Sequence, residues 1–125
     1  MLTGSVNAFR EAVLCLAVRG PSGDERAIEA VIDTGYDGSL TLPPRLVAEL
    51  RLPFRNRASA LLGDGSRTLY DVHDGIVLWD GKLRRIAIDV VDTDPLLGMA
   101  LLYGQELTIQ VFEGGAVSVR EIFRS

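Results

Sequence analysis

Asp33-Thr34-Gly35 joins two apolar segments, Ala27-Ile28-Glu29-Ala30-Val31-Ile32 and Ser39-Leu40-Thr41-Leu42, so an acid stands on a tight turn at a strand end. A carboxylate aimed by rigid backbone is what general acid–base chemistry requires. Glycine after the polar pair lets the chain reverse without a Cβ clash, and the threonine hydroxyl is expected to bond neighbouring backbone. The other acids near turns, Asp64-Gly65-Ser66, Asp71, Asp74-Gly75 and Asp80-Gly81, lack the flanking apolar strand and the Thr/Ser-Gly that follows, and read as turn and surface residues.

Other chemistries find little support. His73, the single histidine, has no second histidine or cysteine set for zinc and reads as an exposed edge residue at a strand end. No glycine-flanked serine of the nucleophile-elbow kind accompanies it. Asp89, Asp92 and Asp94 miss the calcium-loop spacing and read as a solvated loop, while Trp79 and Val77 alternate as strand core. Cys15, inside Ala12-Val13-Leu14-Cys15-Leu16-Ala17-Val18, reads as a small buried hydrophobe. No cofactor or metal is expected.

A second signal, Pro95-Leu96-Leu97-Gly98-Met99-Ala100-Leu101-Leu102, precedes the apolar segment Leu107-Thr108-Ile109-Gln110-Val111. With the stretch from Ile32 to Pro43 it resembles the retropepsin-like aspartic proteases, and most closely their small prokaryotic members, over about residues 10 to 122. In that family a strand runs into Asp-Thr-Gly, and two hydrophobic residues followed by glycine, just before a short helix, thread beside the active-site loop. Leu96-Leu97-Gly98 matches that second element. The resemblance implies an all-β fold, a closed acid-protease barrel with one or two short helices and one lobe per chain. It also implies peptide hydrolysis by two carboxyl groups that share a proton, as aspartic proteases are known to do.

The chain holds one Asp-Thr-Gly and no second Asp-Thr-Gly or Asp-Ser-Gly, so a dyad requires a second copy across a two-fold axis. The resemblance then implies a homodimer whose interface includes the Asp33 loops and one of the chain termini. Thr34 would clasp its twin beneath the dyad, and the Gly35 carbonyl would face a peptide or protein substrate. Asp37 would bind substrate backbone or cap the turn before Gly38. Tyr36 stands where studied members carry a small residue, and would narrow a subsite or occupy the cleft. Gly63-Asp64-Gly65 falls at the tip of the hairpin that in the family covers substrate, the alternative being an ordinary hairpin with no lid role; Leu96, Leu97 and Gly98 complete the implied binding set. The alternative is a catalytically idle peptide-binding or regulatory module of the same fold.

The elements that must position these residues are short Val-, Ile- and Leu-rich segments between Gly and Asp turns. Arg10 to Val18 and Arg26 to Ile32 read as a hairpin around Gly20-Pro21-Ser22-Gly23-Asp24, followed by a strand at Leu40 to Leu42. Pro43-Pro44 opens a helix through Leu50 that Pro53 closes. Strands follow at Ala58 to Leu62, Thr68 to Val72, Gly75 to Trp79 and Leu83 to Val91. Asp92-Thr93-Asp94-Pro95 reads as a turn, Gly98 to Tyr103 as a short helix, and Glu106 to Phe112 with Ala116 to Phe123 as a last hairpin.

The 125 residues make one domain with one core, expected to fold without metal or disulfide. A net charge of −4 argues against a nucleic-acid partner, and Lys82-Leu83-Arg84-Arg85 reads as the flank of the Asp80-Gly81 turn. No window reaches the length of a bilayer span, the N-terminus lacks a basic patch before an apolar run, and one unpaired thiol fits a reducing compartment. These features together imply a cytoplasmic protein.

Overall fold

A computed structural model describes residues 1–122. It is mostly β, with ten strands and two short helices among the described residues. The strands are β1 (Leu2–Val6), β2 (Ala12–Arg19), β3 (Glu25–Ile32), β4 (Leu40–Leu42), β5 (Phe54–Leu61), β6 (Arg67–Trp79), β7 (Lys82–Val90), β8 (Leu96–Leu97), β9 (Gln105–Ile109) and β10 (Ala116–Glu121). The helices are α1 (Pro44–Glu49) and α2 (Met99–Leu102). Hydrogen-bonded neighbours run β5-β6-β7-β4-β8-β3-β2-β1-β10-β9, and β6 pairs with β2 as well.

Side-chain alternation explains which residues enter the core. In β2, Leu14, Leu16 and Val18 are buried and the residues between them turn outward. Cys15 is one of those, so it is exposed rather than the buried hydrophobe its neighbours suggested. Its apolar run spans both faces, and the period of two puts the thiol opposite Glu29 on the outer one. The core joins these side chains to Ile28, Ala30, Leu40, Leu42, Val77, Ile88 and Leu97. Each large aliphatic side chain so buried contributes about 1.5–3 kcal/mol.

Strand β6 is one continuous element rather than two. Its first half pairs with β5 and its second with β7, with Val72 and His73 in both ladders, so no break occurs at His73-Asp74. His73 is therefore partly buried within a long strand, not exposed at a strand end: Nδ1 lies 2.7 Å from the Leu52 carbonyl oxygen and the ring meets Phe54 edge-on at 5.6 Å. Gly75 is needed there because a Cβ would press on Ile88. Strand β5 begins four residues before the expected Ala58. Strand β1 was not foreseen; it pairs with β10 and β2 and brings the start of the chain into the sheet. Val111 and Phe112 lie beyond β9 and are exposed. The expected end of the last strand, Phe123, lies outside the described residues.

Helix α1 begins on Pro44, which supplies a fixed φ at a position that needs no amide donor. It buries Val47, and Leu50 and Leu52 follow it into the core. No described helix is long and apolar enough to cross a membrane.

Candidate active site

Strand β8 holds both legs of the loop that carries Asp33. On one side Val31 and Ile32 run parallel to Leu96 and Leu97. The pairing extends past the end of β3, where the Asp33 amide donates to the Leu97 carbonyl at 2.9 Å. On the other side Leu40 opposes Leu97, and the Gly98 amide donates to the Ser39 carbonyl at 2.9 Å. The Thr41 side chain, 3% exposed, completes the brace by accepting the Leu96 amide at 2.8 Å. Sequence reasoning missed Thr41, because alternation with Leu40 and Leu42 turns it outward on paper; β4 is buried on both faces, and there its hydroxyl must find a partner.

Within the turn, Asp33 Oδ1 accepts the Gly35 amide at 2.9 Å and the Asp33 carbonyl accepts the Tyr36 amide at 3.2 Å. The acid thus closes its own turn, a property of Asx side chains. Thr34 does not: its hydroxyl has no hydrogen bond among the described residues, and the residue is exposed. Gly35 is exposed too and does not adopt a left-handed conformation. Its role here is room, since an added Cβ would stand 3.3 Å from Asp33 Oδ1. Asp33 is partly exposed, and no described residue donates to its Oδ2. Asp37 is exposed and accepts no hydrogen bond among the described residues, so it does not cap the turn before Gly38.

Tyr36 folds back on the loop. Its ring occupies the space that a Cβ on Gly38 or Gly98 would need, and its hydroxyl donates to Asp89 Oδ2 at 2.5 Å. Asp89 accordingly belongs to β7 and faces the site, not a solvated loop. Burial, then the hydrogen bond and charge of Asp89, then Tyr70 and Asp37, push the Tyr36 phenol far above its ordinary value. Burial also lifts the Asp89 carboxyl, against the opposing bond from Tyr36 and with the help of Asp37. Tyr70, partly buried in β6, is raised by burial and by the charges of Asp89 and Asp37. Asp89 and Tyr70 were both missed; the sequence signal for Tyr70 was its step of two from Val72, which places both on one face.

The raised Asp89 carboxyl has a sign in stability. A group whose folded-state value is raised stabilises fully below the ordinary carboxylate range, and that contribution is lost as pH climbs through the raised value. Asp89→Asn keeps an oxygen for the Tyr36 hydroxyl and cannot ionise. Its urea midpoint at neutral pH is expected to equal or exceed that of the wild type, with a smaller fall in stability between about pH 4 and about pH 7. A midpoint clearly below wild type at neutral pH would contradict this account.

The hairpin tip is not joined to this cluster. Gly63, Asp64 and Gly65 are exposed, and no hydrogen bond or ion pair links them to the Asp33 loop among the described residues. Asp64 Oδ1 accepts both the amide and the hydroxyl of Ser66, which holds its carboxyl below the usual range. Gly65 takes the left-handed φ of +85° that the turn needs. Of the residues singled out in the sequence, Asp33, Gly35, Tyr36, Leu96, Leu97 and Gly98 are therefore brought together with Asp89 and Thr41. Thr34 and Asp37 project from the same loop, and the tip stands apart.

A cavity of about 740 Å³, lined by Arg19, Arg55, Asp74, Arg84 and Arg85 among others, meets the candidate loop only at Ser39 and does not include Asp33. Its arginines are largely engaged: Arg19 with Glu25, Arg55 with Asp74, and Arg84 with the Leu101 carbonyl and the Trp79 ring. No group of three or more metal-binding side chains occurs among the described residues. Compared with protein-family models and with curated proteins, the chain matches none.

Proposed function

We propose that the chain is an aspartic endopeptidase of retropepsin-like fold, acting as a homodimer in which one Asp33 from each copy forms the dyad. The observation that carries this reading is the brace on the Asp33 turn: Leu96-Leu97-Gly98 bonded on one side to β3 and the Asp33 amide, on the other to β4 and Ser39. The order of pairings supports the closed barrel, because β6-β7-β4-β8-β3-β2 leads back to β6. Exposed Thr34 and Gly35 leave the loop tip open to a second copy.

In the dimer one Asp33 carboxylate takes the proton of the attacking water while the other, protonated, polarises the scissile carbonyl. The water's oxygen bonds to the carbonyl carbon, and the C–N bond breaks as the amine takes a proton. Asp33 Oδ2, with no donor among the described residues, is the oxygen available for this work. An exposed, unpaired Cys15 fits the reducing cytoplasm, where we place the protein.

Sedimentation over a wide concentration range, run beside hydrolysis of a denatured protein mixture at mildly acidic pH with and without a statine-type inhibitor, tests the reading. A dimer and inhibitor-sensitive cleavage are expected. A strict monomer at the highest concentration removes the second carboxyl group and the mechanism with it.

A further inference from the structure

We propose that Asp89 is a positioning residue for the candidate site, holding the Asp33 turn in place through the Tyr36 hydroxyl; the inference rests on the catalytic reading of Asp33. Between Thr34 and Ser39, Tyr36 is the one residue whose side chain hydrogen-bonds another element, among the described residues. It has three attachments. Its amide donates to the Asp33 carbonyl at 3.2 Å, its carbonyl accepts the Met99 amide at 2.8 Å, and its hydroxyl reaches Asp89. The Ala100 amide adds a bond to the Gly38 carbonyl at 3.0 Å.

The acceptor is well anchored. Asp89 stands opposite Thr41 of β4 and Val72 of β6, beside fully buried Ile88, so its strand is held on both edges. The ring is confined over Gly38 and Gly98, which leaves the hydroxyl little choice of direction. The groups that face Asp89 are Tyr36 and Asp37 from the loop and Tyr70 from β6. A bond from rigid β7 to the residue hydrogen-bonded to the Asp33 carbonyl therefore limits how far that acid can move. Two carboxyl groups that share a proton across a two-fold axis require such control, because small misplacements cost large factors in rate.

The test uses the full chain and four variants: Tyr36→Phe, Asp89→Ala, their double variant, and Asp89→Asn, which keeps an acceptor. Amide hydrogen exchange is read at Met99 and Ala100, with the core amide of Ile88 as control, and steady-state kinetics on one peptide substrate run in parallel. Tyr36→Phe and Asp89→Ala are each expected to speed Met99 exchange about tenfold without moving Ile88, as loss of one hydrogen bond to a charged group would. The double variant should be no faster than either single one, and Asp89→Asn should stay within about threefold of wild type. The kinetic signature is a kcat about tenfold lower with KM within about threefold, restored in Asp89→Asn. Wild-type exchange at Met99 in Tyr36→Phe, additive effects in the double variant, or a parallel rise at Ile88 would overturn the proposal. A wild-type chain that cleaves nothing would overturn the protease reading, and the catalytic consequence drawn from it; exchange at Met99 would still decide whether Asp89 holds the turn.

Discussion

Asp33→Asn is expected to abolish the proposed peptide hydrolysis, lowering kcat on the order of 10⁴-fold or more, while leaving the fold and the proposed dimer in place. The substitution is nearly isosteric, and its side-chain oxygen can still accept the Gly35 amide that closes the turn. Stability should therefore change by less than about 1 kcal/mol. What is lost is the ability to take up the water's proton, which an amide lacks at any working pH. Dimer affinity should be equal or tighter, because two facing carboxyl groups repel when both ionise. Turnover assays beside sedimentation separate these effects. Equal turnover by variant and wild type would take Asp33 out of the mechanism.

Gly98→Ala should have a large effect on stability. The φ of Gly98 is −107°, ordinary for any residue, so the requirement is for space. A Cβ there would collide with the Gly38 carbonyl oxygen, the Tyr36 ring and the Tyr36 carbonyl oxygen. Two of those three are backbone atoms of the Asp33 loop and cannot rotate away. Overpacking against atoms that cannot yield is expected to cost about 3 kcal/mol, at the upper end of its usual range. In urea the midpoint should fall with little change in slope. Gly63→Ala is the control, since nothing lies within 4 Å of its Cβ position, and it should move stability by less than about 0.5 kcal/mol. Gly98→Ala as stable as Gly63→Ala would mean that the loop and β8 are not packed as described.

Much of this arrangement is legible in the sequence. Asp33 at a strand end and Leu96-Leu97-Gly98 ahead of a short helix are local signals, and each was read from residues adjacent in sequence. Strands β2, β3, β4 and β7 and helix α1 fell close to their expected places for the same reason: alternation, turn glycines and a proline start are all local. What escaped was decided across the fold. Asp89 looked like one more acid before a loop because nothing in its neighbourhood announces a tyrosine 53 residues earlier as its partner. Thr41 could not be distinguished from an outward strand residue until Leu96 was brought against it. Cys15 was misplaced because an unbroken apolar run hides which face turns inward. His73-Asp74-Gly75 reads as a break in a strand, yet partners on both sides carry the ladder through it.

The threading of β8 between β3 and β4 also sets an order of events during synthesis. Asp33 leaves the ribosome long before Leu96 and Leu97, which follow it by about half of the chain. Until they emerge, β3 and β4 have no strand to join them, and the acid's turn lacks the carbonyl that receives its amide. Closing so long a loop carries an entropic cost that only the complete pairing offsets, so this pairing is expected among the later steps of folding. A growing chain therefore carries its candidate acid on a turn that is not yet braced, until Leu96 and Leu97 have emerged.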